Sequence, residues 1–328
     1  MKILKVSYWV SFVVIVLVIA ISILSLIHDT EHRYLKMLDF ARLQIFIGGL
    51  IALVIFIWLD PIWKWYDTTL VIVLSIVLLC QLSYIVHYTT LFPKNVPNSI
   101  DNQTDLSLMI YNVYLENDNY DEAITMIQNT DADIVLALEV NDKWDKQLNK
   151  MKSQYPFYTE TINEVGYGMV VYSKYKLENL SKYYLHNKKV PSYEFEVQLK
   201  SDYRCKLYTV HPPPPTYFEE MPDNKGKEEK ELTLVGDKIK KDTLPVVVIG
   251  DMNDVAWGKT ERLMQSGEKL KDVRVGRGAF NSFSAHSWWM HWPLDHIFVT
   301  EEFSVADLKL LDNCGSDHYP VYVELSLH

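Results

Sequence analysis

Long uncharged runs near the N-terminus give way to short alternating segments after about residue 100. Three runs without a charged residue occupy positions 6–27, 43–59 and 68–93. At 1.5 Å per residue, each run approaches or exceeds the roughly 30 Å of a bilayer core. Aromatic residues crowd the far end of the second run, as they do at lipid–water interfaces: Trp58, Trp63, Trp65 and Tyr66. None of the runs has a polar face, so we predict three transmembrane helices at about 6–27, 43–60 and 68–90 rather than buried core helices.

The remainder of the chain has the pattern of an α/β domain. Residues 93–104, with Pro93 and Pro97, are typical of a linker. Beyond it, strands are predicted at 106–113, 134–138, 169–172, 192–199, 204–210, 245–249, 295–299 and 319–325, and helices at 120–129, 142–153 and within 223–241. Mixed strands with intervening helices predict two packed mixed β-sheets flanked by helices, a four-layer α-β-β-α sandwich, over residues 105–328.

Charge separates the two parts of the chain. Of 32 basic and 42 acidic residues, only seven basic and five acidic ones precede residue 101, so residues 101–328 carry a net charge of −12. Such a domain disfavours non-specific binding to a long polyanion, although bound cations can offset the local field. The three cysteines, Cys80, Cys205 and Cys314, form neither a disulfide framework nor a zinc pattern, and a Cys205–Cys314 bridge is left open.

Polar side chains cluster in sequence where six predicted strands begin or end. They are Asn112, Glu139, His211, Asp251, Asn253, Asp295, His296, Asp317 and His318. Carboxylate and amide oxygens are ligands suited to Mg²⁺ rather than to zinc. Histidines beside carboxylates can act as general acids or bases near neutral pH. The set is therefore complete for metal-assisted attack of water on a phosphoester.

Each of these residues taken alone also has an ordinary explanation. Asn112 suits a turn, Glu139 a surface charge after a strand, and His211 a loop that continues into four prolines. The segment Gly250-Asp-Met-Asn contains three residue types that favour turns. Their ordered co-occurrence favours a functional site.

That order matches a known family pattern. The pieces are Tyr111-Asn-Val, Ala132-Asp-Ile-Val-Leu-Ala-Leu-Glu, Gly168-Met-Val-Val-Tyr-Ser, His211-Pro-Pro-Pro-Pro, Gly250-Asp-Met-Asn, Pro293-Leu-Asp-His-Ile-Phe-Val and Gly315-Ser-Asp-His-Tyr-Pro-Val. Any one piece is weak, but seven in the right order are specific. Residues 106–325 resemble the endonuclease/exonuclease/phosphatase superfamily, which includes deoxyribonuclease, apurinic-site endonuclease, inositol polyphosphate phosphatase and neutral sphingomyelinase relatives. The N-terminal spans and the proline run make the chain similar to a bacterial membrane-anchored subgroup.

The resemblance implies a role for each matching position. Glu139 is the expected principal ligand of Mg²⁺ or Mn²⁺, with Asn112 and Asp317 near the ion and the phosphate. Asp251 and Asn253 are expected to position the attacking water and a phosphate oxygen.

The resemblance also implies roles for the two histidines of the pattern. His318, oriented by Asp295, is expected to contact the phosphate and to assist proton transfer or charge neutralisation. His211 resembles the position that protonates the leaving oxygen in some members. The identity of the general base stays open.

The sequence departs from the family pattern in two places. Tyr114 stands where some members carry an aspartate ligand, which leaves one or two metals open, and other members have different residues at His296. A loop rich in aromatic residues precedes Pro293: His286, Trp288, Trp289, His291 and Trp292. It suits packing under a sheet edge, a substrate wall or a membrane-facing surface.

The sequence hypothesis is a membrane-anchored Mg²⁺-dependent phosphoester hydrolase with a small or lipid-linked substrate. Alternatives are a tethered nuclease acting on DNA or RNA, and an inactive receptor or scaffold that keeps the fold. A transporter is disfavoured, because the spans contain no Asp, Glu, Lys, Arg or His apart from His87 and the terminal Asp60. The bilayer is the expected partner, with no obligate protein partner. The family resemblance implies a bacterial cytoplasmic membrane with the catalytic domain outside, and the distribution of Lys and Arg does not decide the side.

Overall fold

Three long apolar helices form the N-terminal part of the structure. The computed structural model describes residues 2–27, 32–59, 63–100, 103–185, 187–215, 219, 228–264 and 269–328. Helices α1 (Lys2–Leu24), α3 (Arg42–Leu59) and α4 (Trp65–Ile85) lie in the three predicted runs, and a short helix α2 (Arg33–Lys36) precedes α3. Each long helix has the length and composition to cross a membrane. They pack around fully buried Ile15, Phe56 and Leu74.

A buried polar network joins the ends of these helices on one side. The guanidinium of Arg42 is fully buried and donates to the Gln81 Oε1 atom at 2.7 Å. It also donates to the Ser25 carbonyl oxygen at 2.8 Å and to Asp39 Oδ1 at 2.5 Å. Because a buried charge is tolerated only when paired, this network fixes the relative positions of the helix ends.

The α/β domain contains two six-stranded sheets. The strands are β1 (Leu106–Asn112), β2 (Ile134–Leu138), β3 (Phe157–Thr161), β4 (Met169–Ser173), β5 (Glu178–Tyr183), β6 (Ser192–Gln198), β7 (Arg204–Thr209), β8 (Val246–Asp251), β9 (Lys271–Asp272), β10 (Asp295–Val299), β11 (Phe303–Leu310) and β12 (Val321–Leu327). The sheet orders are β11-β12-β1-β2-β4-β3 and β5-β6-β7-β8-β10-β9. The pairs β1–β2 and β7–β8 are parallel and the others are antiparallel, so both sheets are mixed.

Apolar side chains on both faces of the sheets build the layers. Leu108 and Leu136 of the first sheet meet Phe195 and Val247 of the second in the central core. Side chains on the opposite face of the first sheet pack against α5 (Tyr120–Thr130) and α6 (Asp142–Leu148). The outer face of the second sheet packs against α7 (Glu228–Ile239), which is followed later by the short helix α8 (Thr260–Met264). The predicted four-layer α-β-β-α fold is confirmed.

The predicted elements differ from the structure mainly at the sheet edges. All eight predicted strands are present, whereas β3, β5, β9 and β11 were not predicted. The helix predicted within 223–241 is α7, and residues 223–227 lie outside the described residues. The helix predicted at 142–153 is α6 followed by a short 3-10 turn at 149–153.

The segment between the long helices and the domain is packed rather than loose. Val96, in the predicted linker, is fully buried in the central core. Val305 of β11 donates its backbone N–H to the Pro97 carbonyl oxygen at 2.9 Å, and its own carbonyl oxygen accepts from Ser99 N at 2.9 Å. The Tyr88 hydroxyl donates to the Ala256 carbonyl oxygen at 2.5 Å. The domain therefore rests directly on the ends of the apolar helices.

The cysteines of the domain are not bridged. Cys205 and Cys314 are free thiols that lie in different clusters of the core.

Candidate active site

Strand ends from both sheets meet at one edge of the sandwich. Asn112 ends β1, and Glu139 directly follows β2, its parallel neighbour. In the second sheet, Asp251 at the end of β8 faces Asp295 at the start of β10 across an antiparallel pair. His318 lies in the turn before β12, which pairs with β1. The topology therefore brings these five polar residues together.

Asn112 bridges the two sheets. Its Nδ2 atom donates to Glu139 Oε1 at 2.9 Å and lies 3.3 Å from Asp251 Oδ2. Glu139 has a backbone φ of 60°, an uncommon conformation for a non-glycine residue that is found often at functional sites. A Cβ on Gly168 would lie 1.7 Å from the Val140 carbonyl oxygen, so only glycine lets β4 approach the chain just after Glu139.

Burial makes two of these carboxylic acids weaker acids than usual. Burial raises the pKa of Glu139 to about 7, with the Asn112 hydrogen bond opposing the shift and the charge of Asp317 adding to it. Burial also raises the pKa of Asp251 to about 7, with His318 opposing and Asp295 adding. Burial therefore disfavours the negative forms of both carboxylates unless a cation lies beside them.

His318 is the positive group of the site. Its Nδ1 atom is 2.8 Å from Asp295 Oδ2, and its Nε2 atom is 3.6 Å from Asp251 Oδ2. Burial alone would lower the pKa of His318, but the charges of Asp295 and Asp251 and the hydrogen bond to Asp295 raise it to about 10. His318 is therefore an imidazolium at neutral pH in this geometry.

His211 has the opposite character. Its Nε2 atom is 3.8 Å from Asp251 Oδ2, and its buried Nδ1 atom has no hydrogen-bond partner among the described residues. Burial, with the charge of His318, lowers the pKa of His211 to about 3, so its ring is neutral. Asn253 donates its side-chain N–H to the Pro212 carbonyl oxygen at 2.9 Å and its backbone N–H to Asp251 Oδ1 at 2.8 Å. Asn253 thus fixes both the loop after His211 and the Asp251 carboxylate.

Asp317 borders the same cluster. Its buried Oδ1 atom has no hydrogen-bond partner within the described part of the chain. Burial raises its pKa, while the charges of His318 and His286 oppose the shift. The structure therefore places Asp317 beside Glu139, within reach of its charge.

The two residues at which the sequence departs from the family pattern lie differently from the candidate residues. His296 alternates with Asp295 on β10, so its side chain points to the other face of the strand. There it contacts Arg274 Nη2 at 2.7 Å and the Asp254 carbonyl oxygen at 2.8 Å, outside the catalytic cluster. Tyr114 directs its hydroxyl to Glu116 at 2.9 Å, and burial and that contact raise its pKa to about 12.

Three residues that sequence reasoning missed also contact the site. The Ser316 hydroxyl donates to the Asn112 carbonyl oxygen at 2.7 Å and accepts from His318 N at 3.0 Å. The ring centroids of Tyr167 and His211 are 5.1 Å apart, and those of Phe283 and His318 are 4.9 Å apart. Ser316 and Tyr167 lie in or beside pieces of the family pattern, whereas nothing in the sequence marks Phe283.

In the aromatic loop before Pro293, some side chains pack against the domain and others are exposed. Trp292 stacks on Phe283 at 6.0 Å, whereas Trp288 and Trp289 are exposed. His286 is exposed beside the Tyr114 ring, and His291 is half-buried beside Tyr319.

The residues present fit a divalent cation. Possible ligand atoms of Asp251, Asp295 and His318 lie within 4.8 Å of one another. Because His318 is protonated in this geometry, the two carboxylates are the candidate ligands of this group. Asp295 Oδ1 and Asp317 Oδ1 are buried oxygens without a partner among the described residues. Buried carboxylates in excess over buried cations, with free oxygen lone pairs, match the preference of hard divalent ions.

Comparison with known proteins identifies the family. A sequence profile of the Endonuclease/Exonuclease/phosphatase family matches residues 109–318, and the chain belongs to this family. The reaction class of the protein is therefore hydrolysis of phosphoester bonds, as predicted, and enzymes of this family typically use divalent metal ions. We found no similar sequence among curated proteins.

Solved structures share the fold at low sequence identity. An endonuclease/exonuclease/phosphatase family protein from Bacteroides thetaiotaomicron is 21% identical, with 68% of this chain and 95% of that chain covered and a TM-score of 0.53. A humanised D. rerio TDP2 is 16% identical, with 68% and 100% covered and a TM-score of 0.56. The human Nocturnin catalytic domain with bound sulfate is 16% identical, with 68% and 95% covered and a TM-score of 0.53. At such identities the likeness concerns the fold alone.

Proposed function

We propose that this protein is a membrane-anchored, Mg²⁺-dependent phosphoester hydrolase in which water attacks phosphorus. One observation carries the proposal: Asn112 joins Glu139 to Asp251, and His318, held by Asp295, faces the same Asp251 carboxylate. A metal ligand, a water-orienting carboxylate and a phosphate-binding cation thus share one buried cluster.

Glu139, with Asn112 and Asp317 nearby, would hold Mg²⁺ or Mn²⁺. Bound there, the ion would supply a Lewis acid close to the phosphoryl oxygens. The Asn112 hydrogen bond orients Glu139 Oε1, and the backbone N–H of Leu115 lies 3.4 Å from Glu139 Oε2. These contacts hold the carboxylate in one orientation before the ion binds.

His318 binds the phosphate and stabilises its developing charge. Asp295 fixes the ring through Nδ1, which leaves the Nε2–H directed into the site. A buried imidazolium interacts strongly with phosphoryl oxygens, because electrostatic interactions strengthen as the local dielectric falls.

Asp251 orients the attacking water. Its Oδ1 atom accepts from Asn253 N, which leaves Oδ2 facing His318, His211 and Asn112. A water that donates to this oxygen has a fixed direction of attack, and the second side-chain N–H of Asn253 can donate to a phosphate oxygen. The neutral His211 ring offers an N–H donor toward the leaving oxygen.

The substrate that these features support is small or lipid-linked. The net charge of −12 in residues 101–328 disfavours a long polyanion, which needs many Lys and Arg contacts. The domain also rests on the ends of three helices that can span a bilayer. From the family resemblance we propose that the domain lies on the outer side of a bacterial cytoplasmic membrane.

A substrate panel tests the proposal on the purified full chain in detergent. The panel contains soluble p-nitrophenyl phosphomonoesters and diesters, phospholipid vesicles, sugar phosphates, plasmid DNA and RNA, each with Mg²⁺, Mn²⁺ or chelator. We expect metal-dependent hydrolysis of a small or lipid ester, loss of that activity in Glu139→Gln, and normal activity in Glu301→Gln, an exposed glutamate in a turn.

The same panel separates the alternatives. Full activity in chelator would remove the metal from the proposal. Nicking of plasmid DNA without release from small esters or vesicles would make the protein a tethered nuclease. No turnover of any substrate would favour an inactive scaffold.

A further inference from the structure

Three consecutive apolar side chains protrude from the loop formed by residues 284–291, here called the tryptophan loop. Trp288, Trp289 and Met290 are 90%, 56% and 37% exposed. In the described part of residues 105–328, no other segment exposes three adjacent large apolar side chains. Such a patch marks an interaction surface, because it is unfavourable in water.

The base of the tryptophan loop belongs to the active site. Phe283, just before the loop, stacks on Trp292, just after it, and also contacts the His318 ring at 4.9 Å between centroids. Ala285 donates its backbone N–H to the Asp317 carbonyl oxygen at 2.7 Å. A displacement of the loop would therefore be transmitted directly to the residues around the phosphate site.

The other side of the tryptophan loop contacts the apolar helices. Gln44, in the first turn of α3, donates to the Trp289 carbonyl oxygen at 3.2 Å. Trp292 donates its indole N–H to the Phe40 carbonyl oxygen at 2.5 Å, and the two rings meet edge to face. Because Gln44 lies at the start of a candidate span, Arg42–Leu59, the tryptophan loop lies level with the start of that span.

A second contact between site and helices supports the same placement. A cavity of about 40 Å³ is lined by Asn253 of the active site and by Lys36, Asp39 and Phe40 of the connection between α1 and α3. The active site therefore lies directly beside the part of the chain that joins two candidate spans.

We propose that the tryptophan loop inserts into the leaflet in which α3 begins, and that the active site takes an amphiphilic phosphoester from that leaflet. The inference rests on the proposed phosphoester hydrolysis and names its substrate class. Tryptophan is enriched at the lipid–water interface, where its ring is both apolar and a hydrogen-bond donor. The loop contains no Asp, Glu, Lys or Arg, so its insertion buries no charge that is permanent at neutral pH.

A matched pair of substrates tests the proposal with the full chain in phospholipid nanodiscs and Mg²⁺. One substrate is a p-nitrophenyl phosphodiester of diacylglycerol in the nanodisc, and the other is methyl p-nitrophenyl phosphate in solution. Phosphatidic acid and glycerol 3-phosphate replace them if the enzyme hydrolyses monoesters. We expect Trp288→Ser/Trp289→Ser to lower lipid-ester turnover by about tenfold and soluble-ester turnover by less than about twofold.

The control variant replaces two tryptophans at the opposite end of the apolar helices. Trp58 and Trp65 are 82% and 79% exposed, on the side away from the domain. Trp58→Ser/Trp65→Ser makes the same chemical change in the other leaflet and should leave the ratio of lipid-ester to soluble-ester turnover unchanged.

Tryptophan fluorescence in nanodiscs of brominated lipid provides a readout that does not depend on turnover. If Trp288 and Trp289 lie in lipid, removing them lowers the fraction of fluorescence that bromine quenches. If they lie in water, removing them raises that fraction, and the insertion is disproved.

The possible results separate the inference from the proposed function. Equal loss on both substrates, or loss on neither, would overturn the role of the loop. Turnover of the soluble ester but not of the lipid ester by the unaltered protein would overturn the lipid substrate and leave phosphoester hydrolysis standing. Turnover of neither ester would overturn both.

Discussion

The direction and charge of His318 depend on one carboxylate. Asp295 accepts the Nδ1–H of His318 at 2.8 Å. Burial lowers the pKa of His318, and the charge of Asp295 is the largest of the effects that raise it. This position also brings Asp295 close to Asp251, which lies directly opposite on the neighbouring strand, so the two carboxylates repel each other. Such an arrangement is stable only when a positive group lies between the carboxylates, and His318 is that group.

Replacing Asp295 by asparagine should separate these effects. Asp295→Asn keeps the size of the side chain but removes the charge, so the pKa of His318 should fall toward its ordinary value of 6.5. We expect kcat to fall by roughly 100-fold or more, and the alkaline limb of the pH–rate profile to move to lower pH. Asp307→Asn, on the half-exposed side of β11, should change neither quantity. An unchanged alkaline limb in Asp295→Asn would show that Asp295 does not control the charge of His318.

Glu139 should bind metal in competition with protons. Its pKa of about 7 means that the carboxylate is partly protonated at neutral pH in the absence of an ion. Since the ion binds the deprotonated form, Mn²⁺ affinity should increase as the pH rises from 6 to 8. Titration calorimetry at several pH values measures this. Glu139→Gln, which removes the ligand itself, should weaken binding by at least the roughly 10- to 100-fold that changes of outer-shell partners cost. Equal affinity of Glu139→Gln and the unaltered protein would place the ion elsewhere.

At the scale of helices and strands, α7 carries a buried acid outside the active site. Glu231 is fully buried and accepts a 2.6 Å hydrogen bond from the Ser192 hydroxyl of β6. Burial raises its pKa from 4.5 to about 7, and the hydrogen bond opposes this only in part. The folded state therefore binds this proton more tightly than the unfolded state does, so the stabilisation is complete below pH 4.5 and is lost as the pH rises through 7.

Glu231→Gln should remove that pH dependence. The variant keeps an acceptor for Ser192 but cannot ionise, so it should match the unaltered protein near pH 5 and exceed it at pH 8 by about 3 kcal/mol. Thermal unfolding in detergent at both pH values measures the difference. Glu301→Gln, exposed in a turn, should show no such difference. A Glu231→Gln variant less stable than the unaltered protein at pH 8 would mean that the charged form is stabilised in the folded state.

Strands that were predicted from the sequence lie inside the sheets, whereas strands that were missed lie at the edges. The four strands missed, β3, β5, β9 and β11, are the four edges of the two sheets. An edge strand is covered on fewer sides, so its apolar pattern is weak, as in β5, where no residue is buried. In β11 a register shift between Val305 and Asp307 also breaks the alternation. By contrast, every residue of β1, β2 and β8 is buried, which makes these strands easy to recognise.

The candidate site was recognisable for the same reason. Asn112, Glu139 and Asp251 end or follow central strands, so each polar residue stands out after an apolar run. The face of the sheet to which a side chain points was harder to predict. For His296 it depends on the register of β10, which directs the ring toward Arg274. The stacking of Phe283 on Trp292 depends on a loop whose path no pattern encodes.

At the scale of the whole molecule, the α/β domain and the apolar helices share a packed boundary. Trp257 donates its indole N–H to the Asp39 carbonyl oxygen at 2.8 Å, and Asp39 in turn pairs with the buried Arg42. Gly276 donates its backbone N–H to the His87 carbonyl oxygen at 2.8 Å. These contacts fix the orientation of the active site toward the helix ends, which a flexible tether would not do.

Shortening the chain at two points should reveal how much of this boundary stabilises the domain. A chain that begins at Asn98 lacks Val96, which is fully buried in the central core, whereas a chain that begins at Thr89 keeps it. Burial of a valine side chain contributes about 1.5–3 kcal/mol, so the shorter chain should unfold at a temperature lower by roughly 3–10 °C. Val96→Ala in the longer chain should reproduce most of this loss, while Lys94→Ala, which removes an exposed side chain, should not. Equal unfolding temperatures for the two shortened chains would mean that the segment before Asn98 connects the helices to the domain without stabilising it.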